Sequence, residues 1–296
     1  MNAWHSDAKL RWRPLAPFGA EVDLDLAQPL SPAAATAFTQ LFWKSGLIVA
    51  RRQTLSMAQQ RAVLALLGPI LLRAGESGYL STENGQAASV AELTFHADAA
   101  YSDHPFDALS LHAVDVVDGA SSTRFVSAEN GCATLPEALR SRLAAHRVEM
   151  ISPQFETLAT RTCDLRAPRA MRRGEYPGLY INPNTGRSCL RVSEMHAARL
   201  VGMDWEESRA VLHAVYEHLY APANIYEHFW HRGDIVVWDN NALQHARSAL
   251  RGVGRRVLQR VIVGVEGVAP HLPDSDAGPA SAGPASAGRA SAGHAP

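Results

Sequence analysis

Three residues of this 296-residue chain have the types and the spacing to bind one metal ion. His96 and Asp98 lie two positions apart in LTFHAD, and residues i and i+2 of an extended strand point to the same face. A third ligand must come from afar, and His245, which follows an apolar run, is the best candidate. Two histidines and one carboxylate form the facial triad of non-haem Fe(II) oxygenases, which leaves coordination positions open.

Two arginines follow His245 on the next predicted strand. Arg256 and Arg260 alternate with Leu258 and Ile262, so the four side chains fall on one strand face. Guanidinium groups on an apolar face need anionic partners, and their fork geometry suits carboxylates. Spacing alone leaves two interpretations open, a pair of surface salt bridges or a carboxylate-binding site.

Four helix starts are indicated by N-cap residues, some with a Glu or Gln three positions later. They are Ser31-Pro32, Ser56 with Gln59, Thr134 with Glu137, and Asp204 with Glu207. Gly46 and Gly68-Pro69 are expected to end the first two helices.

Strand-like runs rich in β-branched residues lie between these helices. They cover residues 46–51, 110–117, 234–240 and 256–265. The runs do not alternate regularly with helices, which argues against a doubly wound parallel sheet. No glycine-rich dinucleotide or P-loop signature is present. The chain is therefore predicted to be mainly β with flanking helices.

Composition excludes several protein classes. Hydrophobic residues make up 47% and charged residues 19%, as in ordinary globular domains, so the whole chain is not disordered. A net charge of −1 disfavours a dedicated nucleic-acid binder. No apolar run could span a bilayer and no secretion signal is visible, so we expect no membrane partner. The three widely spaced cysteines fit a reducing, cytoplasmic location.

The last residues differ in composition from the rest. We interpret residues 1–269 as a single domain and residues 270–296 as a disordered tail rich in Gly, Pro, Ala and Ser. The tail repeats GPASA twice and then GRASA, and it has no large apolar side chain after Leu272. Such a segment cannot bury enough surface to offset its ordering entropy.

Deletion of residues 275–296 is accordingly predicted to leave folding and activity nearly unchanged, because the segment contributes no core. Thermal denaturation of the full-length and truncated proteins checks this. A melting temperature lowered by more than about 4 °C, on the order of 1 kcal/mol, would show instead that the tail docks on the domain.

Residues 14–268 resemble the taurine dioxygenase/dichlorophenoxyacetate dioxygenase (TauD/TfdA-like) family of Fe(II)- and 2-oxoglutarate-dependent oxygenases. The resemblance rests on four blocks in family order, PFGAEVDLDLAQPLS, GLIVARRQTLSMAQQRAVLALLGPI, INPNTGRSCLRV and GDIVVWDNNALQHA. It implies a double-stranded β-helix, the cupin-like jelly roll. It also implies an enzyme that uses Fe(II), 2-oxoglutarate as cosubstrate and O2.

The same resemblance implies roles for five residues. His96, Asp98 and His245 match the iron ligands of the family. Arg256, eleven positions after His245, matches the arginine that grips the distal carboxylate of 2-oxoglutarate. Thr123 matches a threonine that helps to hold that carboxylate, although the preceding residues are Ala-Ser-Ser.

The substrate residues are implied less specifically. Arg260 matches the position that faces the anionic group of the substrate in the taurine enzyme, and Tyr79 and Tyr101 are candidates for the pocket wall. Glu92 stands where that enzyme has an asparagine, and a carboxylate there would repel a sulfonate. We therefore expect a small anionic or amino-acid-like substrate other than taurine.

The resemblance predicts hydroxylation of an unactivated C–H bond, with release of succinate and CO2. Two alternatives stay open, namely the same cofactor chemistry with desaturation or ring formation, and a jelly-roll binding protein that has lost catalysis. The sequence also leaves the oligomeric state open, including a homo-oligomer.

Overall fold

Two β-sheets packed face to face form a jelly-roll core. The structure is a computed structural model, and it describes residues 3–6, 10–72, 78–83, 90–153, 157–166, 168 and 172–265. The predicted tail, residues 270–296, lies outside the described residues.

Seventeen strands are described. They are β1 His5–Ser6, β2 Arg11–Pro14, β3 Ala20–Val22, β4 Leu47–Ala50, β5 Tyr79–Ser81, β6 Leu93–His96, β7 Ala108–Val116, β8 Ser122–Ser127, β9 Arg147–Ile151, β10 Arg173–Pro177, β11 Leu179–Ile181, β12 Ser188–Leu190, β13 Ala197–Leu200, β14 Ile225–Phe229, β15 Ile235–Asp239, β16 Leu243–Arg247 and β17 Arg256–Val263. The four predicted strand runs correspond to β4, β7, β15 and β17.

The strands form two main and two smaller sheets. The larger main sheet has the order β1-β2-β3-β4-β15-β7-β17-β5, and the smaller has the order β14-β8-β16-β6. Strands β10-β9-β13 and β11-β12 make the other two. Among the described pairings β3 and β4 alone are parallel, and the rest are antiparallel. The expectation of a mainly β chain with a jelly-roll core is confirmed.

The residues of β15 show why the predicted strands read as continuous apolar runs. Val236 and Trp238 face inward, between the two main sheets, where they pack with residues of β8 and β16. Ile235 and Val237 face outward and pack against helices. Because successive side chains alternate between the two faces and both faces are covered, the strand is apolar from Ile235 to Trp238.

Five α-helices are described. They are α1 Pro32–Ser45, α2 Met57–Leu64, α3 Ala128–Ala133, α4 Glu137–Ala145 and α5 Trp205–Leu219. Helices α1 and α2 cover the outer face of the larger sheet, and α5 covers the outer face of the smaller sheet. Within the described residues, no helix combines the length and the apolar character needed to cross a membrane.

Three of the predicted helix starts are confirmed. The Ser31 hydroxyl accepts a hydrogen bond from the amide of Ala34, and Gly46 ends α1 with a φ of 71°. Ser56 and Gln59 form the expected capping box at the start of α2. The Asp204 carboxylate caps α5 by accepting bonds from two backbone amides of its first turn.

The predicted capping box of Thr134 is wrong. Thr134 ends α3, and its hydroxyl donates to the carbonyl oxygen of Asn130 at 3.0 Å. Helix α4 starts instead after Pro136, which provides no side-chain cap. The sequence pattern matched, but the hydroxyl was already used by the preceding helix.

Candidate active site

Strands β6 and β16 pair antiparallel with His96 directly opposite His245. The two imidazole rings are 4.2 Å apart between centroids. Asp98, just beyond the end of β6, brings its Oδ1 atom to 3.4 Å from Nε2 of His96 and 3.8 Å from Nε2 of His245. The fold therefore gathers the three predicted ligands at one point.

The arrangement of these donors suits a divalent cation. Two donor atoms roughly 2.0–2.2 Å from one ion, at right angles, are about 3 Å apart. All three ligand atoms of His96, Asp98 and His245 lie within 4.8 Å of one another. Only small side-chain movements would bring all three ligand atoms onto one ion.

The protonation states also suit a metal ion. Nδ1 of His96 lies 2.8 Å from the carbonyl oxygen of Thr94 and donates to it, so Nε2 is the ring nitrogen turned toward Asp98. Burial, with His96 nearby, lowers the pKa of His245 to about 3, so its imidazole is neutral at pH 7. Burial alone would raise the pKa of Asp98, but the hydrogen bond with His96, the charges that the two imidazoles carry when protonated, and the charge of Arg260 hold it well below its usual range.

Asn240 fixes the backbone of Asp98. The Asp98 amide donates to Oδ1 of Asn240 at 2.8 Å, and Nδ2 of Asn240 donates to the Asp98 carbonyl at 2.9 Å. Nδ2 also donates to the carbonyl of Phe106 at 3.0 Å. Ala99, next to Asp98, has a φ of 58°, a conformation that needs such support.

Replacement of Asn240 by alanine is predicted to lower both stability and iron affinity. Three hydrogen bonds to a side chain that is 1% exposed would be lost, at a cost on the order of 2–3 kcal/mol. Thermal denaturation and iron titration measure the two effects. Asn241→Ala is the matched control, because its described side-chain hydrogen bond is long, at 3.5 Å. Unchanged iron affinity in Asn240→Ala would show that Asp98 needs no such support.

A cavity of about 310 Å³ opens in front of the three predicted ligands. Its lining residues are Tyr79, Leu80, Ser81, Leu93, His96, Asp98, Leu109, Leu111, Thr123, Trp238, His245, Arg247, Arg256 and Arg260. Thr123, Arg256 and Arg260, predicted to hold 2-oxoglutarate and the substrate, thus share the cavity with the ligands.

Thr123 and Arg256 both lie deep in this wall. Trp230 donates its indole N–H to the Thr123 hydroxyl oxygen at 3.0 Å, so the hydroxyl is available to donate its own proton to an anion. The Arg256 side chain is 5% exposed. Burial, and then the charge of Arg247, lower the pKa of Arg256 to about 9, which leaves it positively charged at neutral pH.

Two predicted substrate residues are not brought to the cavity. Glu92 is exposed and is not among the described residues that line the cavity, although the next residue, Leu93, is. Tyr101 packs against His196, with 5.2 Å between ring centroids. Contacts of Glu92 and Tyr101 with a substrate stay predictions.

Two residues near the site were missed by the sequence reasoning. Arg247 lines the cavity two positions after His245, so the same i, i+2 rule that paired His96 with Asp98 could have found it. His196 lies behind His96, with 6.1 Å between ring centroids, and burial lowers its pKa to about 3. Nothing in its sequence context, SEMHAARL, signals that position.

A second group of potential metal ligands is less suitable. Cys163, Asp164 and His213 have ligand atoms within 4.8 Å of one another. However, Nη1 of Arg209 lies 3.4 Å from Oδ1 of Asp164, and Arg161 contacts Nδ1 of His213. Burial raises the pKa of Cys163 to about 12, so its thiol is protonated. A cation would meet two guanidinium groups and no thiolate.

Comparison with known proteins places the chain in a family. Residues 11–262 match the family model described as "Taurine catabolism dioxygenase TauD, TfdA family". The chain belongs to this family. The protein is thus an α-ketoglutarate-dependent dioxygenase, an oxidoreductase that uses Fe(II), 2-oxoglutarate (α-ketoglutarate) and O2.

Relatives and solved structures agree with this assignment. The chain is 26% identical over 276 residues to the α-ketoglutarate-dependent 2,4-dichlorophenoxyacetate dioxygenase of Cupriavidus pinatubonensis, which covers 83% of this chain and 94% of that protein. It is 26% identical over 197 residues to pentalenolactone F synthase of Streptomyces avermitilis, which covers 61% and 64%. The fold matches the crystal structure of AAD-2 in complex with Mn(II) and N-oxalylglycine, with a TM-score of 0.74, 20% identity, and coverage of 89% of this chain and 100% of that one.

Proposed function

We propose that this dioxygenase hydroxylates an unactivated C–H bond of a small, anionic or amino-acid-like metabolite, with release of succinate and CO2. His96, Asp98 and His245 would hold Fe(II), and Arg256 with Thr123 would hold the distal carboxylate of 2-oxoglutarate. The proposal rests on one observation above all, that the three ligand residues and these two carboxylate-binding residues line a single cavity.

The chemistry comes from the bound cofactors and the geometry from the chain. When bound, Fe(II), 2-oxoglutarate and O2 supply an oxidant able to attack an unactivated C–H bond. The two histidines would offer nitrogen donors and Asp98 one negative charge, and three protein ligands would leave further coordination positions for the cosubstrate. Arg256 and Thr123 orient the cosubstrate from its far end by charge-assisted hydrogen bonds. The ligand residues and the carboxylate-binding residues thus fix the two ends of the cosubstrate.

The remaining cavity wall indicates the substrate class. Leucine side chains and Trp238 provide an apolar surface that would exclude water from the reacting carbon. Two arginines of the described cavity wall, Arg247 and Arg260, are not assigned to the cosubstrate in this scheme. Of these, Arg260 is the one that the resemblance places at the substrate. A small molecule with one anionic group and an aliphatic or aromatic body matches this combination.

Two alternatives differ in outcome rather than in site. Desaturation or ring formation would need the same residues, and one relative is named a synthase. A catalytically silent binding protein has no need for three ligand residues beside a carboxylate-binding pair. We favour hydroxylation, and product mass separates the three outcomes.

The test is an anaerobic titration with Fe(II) and 2-oxoglutarate, followed by a metabolite library screened for succinate release in air. We expect succinate release coupled to a product that has gained one oxygen atom. A product that has lost two hydrogens would favour the alternative outcome. Failure to bind 2-oxoglutarate would overturn the proposal. His245→Ala serves as the inactive control.

The wider setting of the enzyme remains predicted. A free small molecule as substrate agrees with the names of the dioxygenase relatives. The absence of nucleic-acid and membrane partners, the cytoplasmic location and a homo-oligomer stay predictions.

A further inference from the structure

Arg247 is a buried cation to which the proposed function assigns no role. It ends β16, lines the cavity and is 9% exposed. Its Nη1 atom is enclosed by protein and has no hydrogen-bond partner among the described residues. A buried guanidinium without such partners is costly unless an anion binds it.

The strand register places Arg247 beside Thr123. Strands β16 and β8 pair with His245 opposite Phe125 and Ala246 opposite Arg124, and Arg247 and Thr123, the next residues along the two strands, both line the cavity. Residues directly opposite in an antiparallel pair share a face, with their Cβ atoms about 4.5–5.5 Å apart. Arg247 therefore leaves the sheet next to the hydroxyl expected to hold the distal carboxylate of 2-oxoglutarate.

Arg256 approaches the same place from the opposite sheet. Its side chain is buried, its Nε atom has no hydrogen-bond partner among the described residues, and it repels Arg247 electrostatically. Asp98 is the one carboxylate among the described residues that line the cavity. It interacts with the two predicted histidine ligands and with Arg260. Two like charges thus face one region of the cavity in which the described chain supplies no counterion.

We propose that Arg247 and Arg256 together clamp the distal carboxylate of 2-oxoglutarate, with Thr123 as a third donor. Each guanidinium offers paired N–H groups, and a carboxylate has two oxygens with about four lone-pair sites, so both can bind at once. This inference rests on the proposed function, which places the same carboxylate at Arg256. It adds Arg247 to the residues that bind the cosubstrate. It also implies that cosubstrate affinity depends more strongly on the distal carboxylate.

The proposal is tested by binding rather than turnover. The Fe(II)-loaded protein is titrated anaerobically, by calorimetry, with 2-oxoglutarate and with 2-oxopentanoate, which carries a methyl group in place of the distal carboxylate. Arg247→Gln keeps most of the side-chain volume and removes the charge. Arg251→Gln is the matched control, because Arg251 is exposed and lies just beyond β16.

We expect Arg247→Gln to weaken 2-oxoglutarate binding at least about tenfold and 2-oxopentanoate binding less than about twofold. Arg251→Gln should leave both affinities unchanged. The melting temperature without ligand should not fall in Arg247→Gln, because removal of one charge relieves repulsion with Arg256. Arg247→Lys should recover part of the affinity, and it provides a second variant if the glutamine variant folds poorly.

Three results would overturn the proposal. Unchanged 2-oxoglutarate affinity in Arg247→Gln, together with a clear loss in Arg256→Gln, would leave the proposed function intact and remove Arg247 from the clamp. Equal weakening of both keto acids would show a general structural effect. Unchanged affinity in both arginine variants would overturn the proposed cosubstrate site as well.

Discussion

His245→Ala is expected to abolish the weak visible charge-transfer band, near about 500 nm, that Fe(II) and 2-oxoglutarate together should give with the wild-type protein. The substitution removes one of the three proposed ligands and leaves a two-residue site on β6 and the turn after it. Loss of outer-shell partners alone costs about 10–100-fold in metal affinity, so loss of a direct ligand should exceed about 100-fold. Substrate oxidation should be lost with it.

Absorbance under anaerobic conditions measures the band, and a metal titration measures the affinity. His104→Ala is the control, because His104 is exposed and belongs to neither described ligand group. A normal band in His245→Ala would remove this residue from the site, and a lost band in His104→Ala would show that the assay reports general damage.

Arg256→Ala and Arg260→Ala are expected to have opposite effects, although both residues lie on β17 and line one cavity. Loss of one partner of a buried charge-assisted pair costs on the order of 2–5 kcal/mol. Arg256→Ala should raise the 2-oxoglutarate requirement at least about tenfold, equal to 1.4 kcal/mol, with a smaller effect on substrate affinity. Arg260→Ala should keep uncoupled 2-oxoglutarate turnover and lose substrate oxidation.

Succinate release with and without substrate separates the two arginines. Arg256→Lys should recover only part of the cosubstrate affinity, because a point charge cannot reproduce the fork of a guanidinium. If both alanine variants weaken 2-oxoglutarate equally and leave the substrate unaffected, Arg260 is not a substrate anchor. The inference that the substrate is an anion would then be lost.

The sequence predicted what depends on local spacing. The His96/Asp98 pair and the caps of α1, α2 and α5 follow from residues a few positions apart, and those local patterns are present in the structure. The approach of His245 to His96 depends on the pairing of β16 with β6, which no local pattern encodes. The sequence offered His245 only as the best candidate for a distant third ligand, and the resemblance to a family supported that choice.

The residues that were missed show the same limit. The position of Arg247 beside Thr123 depends on the register between β8 and β16, strands separated by about 120 residues of chain. His196 reaches His96 from the turn before β13, a long-range approach without a motif. The capping box predicted at Thr134 was wrong for a local reason. The hydroxyl lies between two helices, and it bonds to the preceding helix instead of capping the next one.

The order β14-β8-β16-β6 places the His96 strand at the edge of its sheet, with β16 as its one neighbour among the described strands. Edge strands open locally at a lower free-energy cost than central strands. An ion held by His96 and His245 would act as a cross-link between the outermost strand and an inner one, in addition to their hydrogen bonds. The dissociation rate of the ion and the opening rate of this edge are then kinetically linked, so stabilising β6 would also lengthen the residence time of the metal.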